Sequence, residues 1–331
     1  MITNSELTFG GLFTGVGGIE LGFCQSGYKN LWANEIDKYA SETYRLNFPN
    51  HLIEGDIYSL KGSELLPVDV LGAGFPCQPF SVAGYRKGFK DDRGNLFFEI
   101  IRIIHELQEK PKVLFFENVK NFYRHDKGNT YKKVSEEIKK MGYSVFTEIL
   151  NTAEYTDIPH NRERTFLICF KDELDWENCS QPTVSKKFSE LFPPQKEVFT
   201  NHISHYYESQ HVNNKYYYGE EKYMYEDLEK SMTSKDTIYQ WRRIYVRENQ
   251  KSQCPTLTAN MGTGGHNVPL ILVDDGIRKL TPRECFNFQG YPQNFKLPDS
   301  VPDSQLYKQA GNSVSVPLIK KLADIIQEAY F

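Results

Sequence analysis

The chain carries no C-x-x-C pair. Its six cysteines stand scattered at positions 24, 77, 169, 179, 254 and 285, which argues against both a zinc site and a disulfide framework. No apolar run approaches the roughly 18 residues that a bilayer-spanning helix needs. Met1 to Leu12 shows no basic segment followed by an apolar stretch, so no signal peptide and no membrane are expected, and the setting reads as reducing and cytoplasmic. A global basic signature is missing too. With a net charge of -4, any nucleic-acid surface must come from local clustering. What is present is 331 residues, 39% hydrophobic and 25% charged, ordinary for a soluble globular protein and long enough for two domains.

The stretch that organises the rest is Gly74-Phe75-Pro76-Cys77-Gln78-Pro79-Phe80-Ser81. The apolar run Val68 to Gly72 reads as a short buried strand leading into it. Cys77 then falls just past a strand end, where open α/β sheets bind ligands. Pro76 and Pro79 restrict the backbone on both sides. A thiol carried on such a stiff turn suits a nucleophile. A lone cysteine is more often a buried apolar side chain, and the flanking residues and other motifs reverse that reading.

Leu7 to Phe13 reads as a strand, followed by Phe13-Thr14-Gly15-Val16-Gly17-Gly18 and a helix from about Ile19. Strand, glycine turn and helix let the backbone approach a nucleotide-like ligand. The dinucleotide pattern G-x-G-x-x-G fails because Glu20 holds the third glycine position, which favours an adenosine cofactor other than NAD. A second strand, Asn30 to Asn34, ends at Glu35, placed to accept hydrogen bonds from both ribose hydroxyls. A helix over Lys38 to Asn47 and a short strand over Leu52 to Glu54 follow, and Asp56 is either a strand-end ligand group or a turn residue. Val82 to Gly94, rich in glycine and charge, reads as a mobile lid. A helix over Leu96 to Leu107 precedes a strand, Lys112 to Phe116, that ends on Glu117, an acid able to share a cleft with Cys77 or simply to cap the next turn. After a helix at Thr130 to Met141 and a strand at Tyr143 to Leu150, Arg162 and Arg164 enter the strand Thr165 to Phe170. Two apart, they are expected on one face, suited to an anionic ligand or a buried carboxylate.

The order F-x-G-x-G-G, G-F-P-C-Q-P-F-S, E-N-V and N-R-E-R resembles the C5-cytosine DNA methyltransferase family. Arg278 to Cys285 with Phe288-Gln289-Gly290-Tyr291-Pro292, and then Gly311-Asn312-Ser313-Val314, match two later blocks of it. The resemblance implies an α/β fold: a doubly wound S-adenosylmethionine-dependent domain, with a second, smaller target-recognition domain. It implies that residues 1–175 and 304–331 form the catalytic and cofactor domain and residues 176–303 the recognition domain with its hinge. It implies that Cys77 attacks C6 of a flipped-out cytosine, that Glu117 contacts N3 and the exocyclic amine, and that Arg162 and Arg164 support the base and Glu117. For the cofactor it implies Phe9 stacked on adenine, with Phe13, Gly15, Gly17 and Gly18 in the turn. Glu35 and Ile36 would lie at the ribose, Asp56 and Ile57 at the adenine, Pro76 beside them, and Asn312 and Val314 at the far side. Two departures stand out. His160 replaces the usual glutamine of the arginine block, and Gly11 stands where many members carry an acid.

From Lys171 to about Ser252 no motif is recognisable, but tyrosine is dense. Trp241-Arg242-Arg243-Ile244-Tyr245-Val246-Arg247 interleaves arginine with aromatic and aliphatic side chains, which suits phosphate and base-edge contacts. Together with Ser81 and the Thr256-Leu257 element, Arg242, Arg243 and Arg247 are the expected DNA-reading residues. Val316 to Ala329 reads as a final amphipathic helix returning to the first domain. The expected partner is double-stranded DNA, with a cognate restriction endonuclease in function rather than in complex, and the chain is expected to be a monomer. Methylation of RNA, with the same chemistry, is the competing expectation; a catalytically silent DNA-binding module is a third.

Overall fold

The computed structural model describes residues 6–76, 96–171, 202–209, 211–222, 224–242, 244–263 and 267–331. Cys77, Ser81, Arg243 and the expected lid at 82–94 lie outside the described residues. Contacts divide the described residues into two compact units: those of 6–150, 163–171 and 319–331 form one, and those of 151–162 and 202–318 the other. These units differ from the division expected from the sequence at two places. Residues 304–318 go with the second unit because the helix over Asp303–Asn312 packs on the turn Ala259–Gly262, where a β-carbon on Gly311 would collide with Thr258. Residues 151–162 go with it because their hydrogen bonds run to Cys254, Thr256 and Leu257.

The first unit is built on a seven-stranded sheet. Its strands are β1 (Thr8–Leu12), β2 (Lys29–Glu35), β3 (Leu52–Glu54), β4 (Val70–Ala73), β5 (Val113–Val119), β6 (Tyr143–Asn151) and, after a two-residue strand β7 (His160–Asn161) that belongs elsewhere, β8 (Glu163–Lys171). The order is β3-β2-β1-β4-β5-β8-β6. The pairs from β3 to β5 are parallel, and β8 runs antiparallel to β5. Strand order reverses between β1 and β4, so their carboxyl ends open the crevice where such sheets take ligands. β4 and the first six residues of β5 are buried throughout, as a parallel strand covered on both faces must be.

Three helices show why the local sequence sets the element bounds. α1 (Gly18–Gln25) starts at the glycine turn. α2 (Lys38–Asn47) is capped by Asp37, whose Oδ1 accepts from Tyr39 N at 3.0 Å and Ala40 N at 3.1 Å. α3 (Leu96–Glu106) buries Phe97, Ile100, Ile103 and Ile104, an i, i+3, i+4 stripe. These pack with Leu71, Leu114, Phe116 and Leu167 in one core. α4 (Asn129–Lys140) covers the same core through Val134 and Ile138.

The second unit begins with a single helical turn, α5 (Thr152–Tyr155), and contains α6 (Tyr225–Ser231). Its four-stranded antiparallel sheet, in the order β10-β9-β12-β13, is made of β9 (Tyr239–Arg242), β10 (Tyr245–Glu248), β12 (Leu270–Val273) and β13 (Gly276–Lys279). A short β11 (Cys254–Pro255) pairs with β7. α6 closes a small core with Tyr239, Trp241, Leu270 and Ile277. α7 (Pro282–Asn287) opens on a capping box of Thr281 and Glu284 with Pro282 at its first position. Glu284 also takes a bidentate pair of 2.7 Å bonds from buried Arg278. α8 (Asp303–Asn312) and α9 (Val316–Tyr330) end the chain. In the first unit α9 lies against α1: Ser26 Oγ donates to Lys320 O at 3.0 Å, and a β-carbon on Gly22 would collide with Ile319.

Candidate active site

In the first unit the carboxyl ends of β1, β2, β4 and β5 carry most of the expected residues. Just past β1 comes Phe13, a half-buried residue held at φ 54°, a conformation uncommon for a side chain of that bulk. Gly15 has φ 57° and open space in front of its α-carbon; Gly17, at φ 86°, is the N-cap of α1, with Phe48 and Tyr44 packed where a β-carbon would stand. Gly18 is the first, buried residue of that helix. Glu35, at the end of β2, binds the turn directly. Its Oε2 accepts from Gly15 N at 2.7 Å, and its Oε1 accepts from Ile36 N at 2.9 Å and Asp37 N at 2.8 Å. Three backbone donors fix that carboxylate and leave part of its acceptor capacity for a ligand. Beside it Ile36 is 61% exposed, an apolar plate next to an acid. Exposed Asp56 caps the turn Ile57–Ser59 through Tyr58 N, and Pro76 is exposed. Open glycine, anchored carboxylate and exposed apolar surface suit an adenosine-type cofactor.

Two residues expected at the cofactor are buried. Phe9 is fully buried, stacked on Phe23 with ring centroids 4.5 Å apart and packed over Gly72, so neither face is free for adenine. Phe13, four residues on and past the strand, is the phenylalanine with an accessible ring. Ile57 is 3% exposed, and its side chain belongs to the hydrophobic core.

At the end of β5, Glu117 is 8% exposed, and Arg164 Nε lies 3.1 Å from its Oε1. Burial pushes the Arg164 guanidinium below its ordinary value, and the Glu117 carboxylate opposes the shift. The pairing follows from the β5–β8 register, in which Val119 faces Arg164 and Glu117 faces Phe166. Asn118 was visible in the sequence only as the middle of E-N-V, yet it has a job here. Its Nδ2 donates to Phe75 O at 2.9 Å, tying the end of β5 to the chain two residues before Cys77. Gly74 lies against the same carboxylate: a β-carbon there would stand 4.0 Å from Glu117 Oε2.

Arg162 and Arg164 do not share a face. Arg162 precedes β8 and belongs to the second unit, where it is 2% exposed. Its NH1 donates to Leu257 O at 3.0 Å, and its guanidinium reaches Gly311 O at 3.4–3.5 Å and also Ser313 O. Those last two carbonyls flank Asn312, which is exposed, while Val314 is buried. In this structure Arg162 anchors three carbonyls of the second unit. His160 is fully buried, and its Nε2 accepts from Leu257 N at 3.3 Å, which accounts for an imidazole at this position. Leu257 is fully buried and held through its main chain. Thr256 is exposed, and its hydroxyl donates to Asn161 O at 2.6 Å.

The β9–β10 hairpin presents the basic run as a surface. Arg242 pairs with Tyr245 and Gln240 with Arg247, so these four side chains share the face opposite Trp241 and Tyr239. Arg242 and Arg247 are exposed, and Arg242 donates to Gln240 Oε1 at 2.9 Å. At the tip, Ile244 is 86% and Tyr245 57% exposed. Ile244 was not singled out by sequence, because alternation marks a strand face and not a hairpin tip.

A model of the family described as C-5 cytosine-specific DNA methylase matches residues 7–328. The Type II methyltransferase M.Bsp6I of Bacillus sp. (strain RFL6) is 49% identical over 326 residues, covering 98% of this chain and 99% of that protein. The Type II methyltransferase M.HhaI of Haemophilus parahaemolyticus is 38% identical over 333 residues, covering 96% and 93%. Among solved structures, the S. pombe Dnmt2 methyltransferase superposes with a TM-score of 0.75 at 20% identity, covering 98% of this chain and 100% of that one, a likeness of fold. With its sheet, its glycine turn and its Glu117–Arg164 pair, the chain belongs to the C-5 cytosine-specific DNA methylase family and is a cytosine-5 DNA methyltransferase of the restriction–modification type.

Proposed function

We propose that the protein methylates C5 of a cytosine flipped out of a short double-stranded DNA site in the cytoplasm, through a covalent bond from Cys77 to C6. The observation that carries this reading is the Glu117–Arg164 pair beside the Asn118 tether to Phe75, next to the chain that leads into Cys77. C5 of cytosine is a poor nucleophile until C6 bears a thioether. The Cys77 thiolate forms the S–C6 bond, and Glu117, oriented by Arg164, holds N3 and the exocyclic amine so that electron density collects at C5. S-adenosylmethionine supplies an electrophilic methyl group on sulfur and leaves as S-adenosylhomocysteine. Loss of the C5 proton to a base then breaks the C6–S bond and returns the thiolate. The atom attacked is out of reach in a stacked duplex, so the base must leave the stack.

Gly15, Glu35, Ile36 and Phe13 would hold the adenosine end, and the second unit would read the site through the face of Arg242, Tyr245 and Arg247. The test is covalent trapping. Fluorine at C5 cannot leave as a cation, so DNA carrying 5-fluorocytosine at the target should remain attached to Cys77 after methyl transfer, as mass spectrometry of the denatured complex would show. Cys77→Ser should form no adduct, because a hydroxyl is a far weaker nucleophile near neutral pH. An adduct mapped to another residue would overturn the assignment.

A further inference from the structure

Glu20 is a carboxylate for which the chemistry above has no use. It lies in the first turn of α1, 1% exposed. Its Oε1 accepts from the Thr14 hydroxyl, inside the glycine turn, and its Oε2 is buried with no hydrogen-bond partner. A β-carbon on Gly11 would overlap Oε1, so this carboxylate fills the room a side chain at residue 11 would take. Burial pushes the acid up to about 7, the Thr14 bond opposes that, and the negative charge of Glu35 adds to it; none of the groups acting on it is cationic. Its other titratable neighbours, Tyr44 and Cys24, are neutral near pH 7, and Tyr44 is held by Asn30 at 2.7 Å. A carboxylate so buried, with a spare oxygen, calls for a charged donor.

We propose that Glu20 is the ammonium-binding carboxylate of the cofactor site, supplied from helix α1 where position 11 on β1 has no side chain to give. The inference rests on the S-adenosylmethionine reading and deepens it. That cofactor has three kinds of hydrogen-bond donor. The ribose hydroxyls fall to Glu35, and the adenine amine is neutral and falls to Asp56. Only the α-ammonium is a cationic donor, and it matches the one buried acid of the turn that lacks a partner on one oxygen. Gly11 and Glu20 thus act as one position: the missing side chain makes room for the acid that replaces it.

Calorimetry on the full chain at pH 7.5 tests this with two ligands. S-adenosylhomocysteine carries the ammonium; 5′-methylthioadenosine shares the nucleoside and lacks the amino-acid end. Glu20→Gln should weaken the first by at least about tenfold, the loss of one charge-assisted bond, and leave the second within about twofold. A Gly11→Asp/Glu20→Ala double variant returns a carboxylate to the same space and should recover most of the preference for S-adenosylhomocysteine. Equal losses for both ligands, or no loss, would overturn the proposal. Should Glu20→Gln fail to fold, the double variant decides, and absence of any preference in it counts against the idea. An unaltered protein that binds neither ligand would remove the cofactor reading itself, and this inference with it.

Discussion

At the residue scale, Glu20 also sets a pH dependence of stability. Its folded value of about 7 stands above the ordinary 4.5 of an unfolded glutamate. Between these values the folded state keeps a proton that the unfolded chain releases. The contribution is therefore fully present below pH 4.5 and is lost as pH rises through about 7. Glu20→Gln removes this dependence. In urea denaturation the variant should gain on the parent between pH 5 and pH 8, by as much as about 3 kcal/mol at 1.36 kcal/mol per pH unit. A difference that does not change with pH would mean that Glu20 is charged throughout. Single residues also show where sequence reading stops. Phe9 and Phe13 both flank the glycine pattern, and nothing in their order tells which lies inside the sheet. The register does: Phe9 is opposite Val70 and turned onto Gly72, while Phe13 lies beyond the last pair, Leu12 with Ala73.

At the element scale, legibility followed local physics. α2 is bounded as its sequence suggests, because Asp37 caps it and its buried face repeats at helical spacing. Glu35 and Glu117 were readable as strand-end acids, since apolar runs stop at both. The partners of Arg162 were not, because Leu257, Gly311 and Ser313 are about 95 to 151 residues away in the chain; no periodicity carries such information. The β9–β10 hairpin was half legible: its arginines were visible, but its tip was not. It yields a prediction of its own. Arg242→Ala and Arg247→Ala should weaken DNA binding and leave S-adenosylhomocysteine affinity unchanged. A phosphate contact would lower affinity for all sequences and reduce the salt slope by about one; a base contact would cost about 1–3 kcal/mol at one position of the site. Equilibrium binding across a salt series separates these, and two variants that bind like the parent at every salt would rule out the hairpin as the reading surface.

At the scale of the whole molecule, the described chain passes between its two units at 150/151, 162/163 and 318/319, among other places. One passage falls between Arg162 and Glu163, so residues two apart serve different units: Arg164 holds Glu117, and Arg162 holds the second unit together. Arg162→Lys keeps the charge but not the planar fork that spans three carbonyls. It should lower unfolding stability by about 2–4 kcal/mol, a few charged hydrogen bonds with their acceptors left buried, while the folded fraction still traps 5-fluorocytosine DNA. Unchanged stability with loss of trapping would put Arg162 back at the base.

The seat that Arg162 makes has one further property. Its three acceptors are backbone carbonyls, His160 accepts from a backbone N–H, and the Thr256 hydroxyl donates to a backbone carbonyl. Such a socket registers the path of the main chain and is largely indifferent to which side chains that path carries. None of these bonds is made by a side chain of the β9–β10 hairpin. A hairpin grafted from a relative should therefore seat wherever its backbone follows the same course, and an unfolding midpoint equal to the parent's would show it.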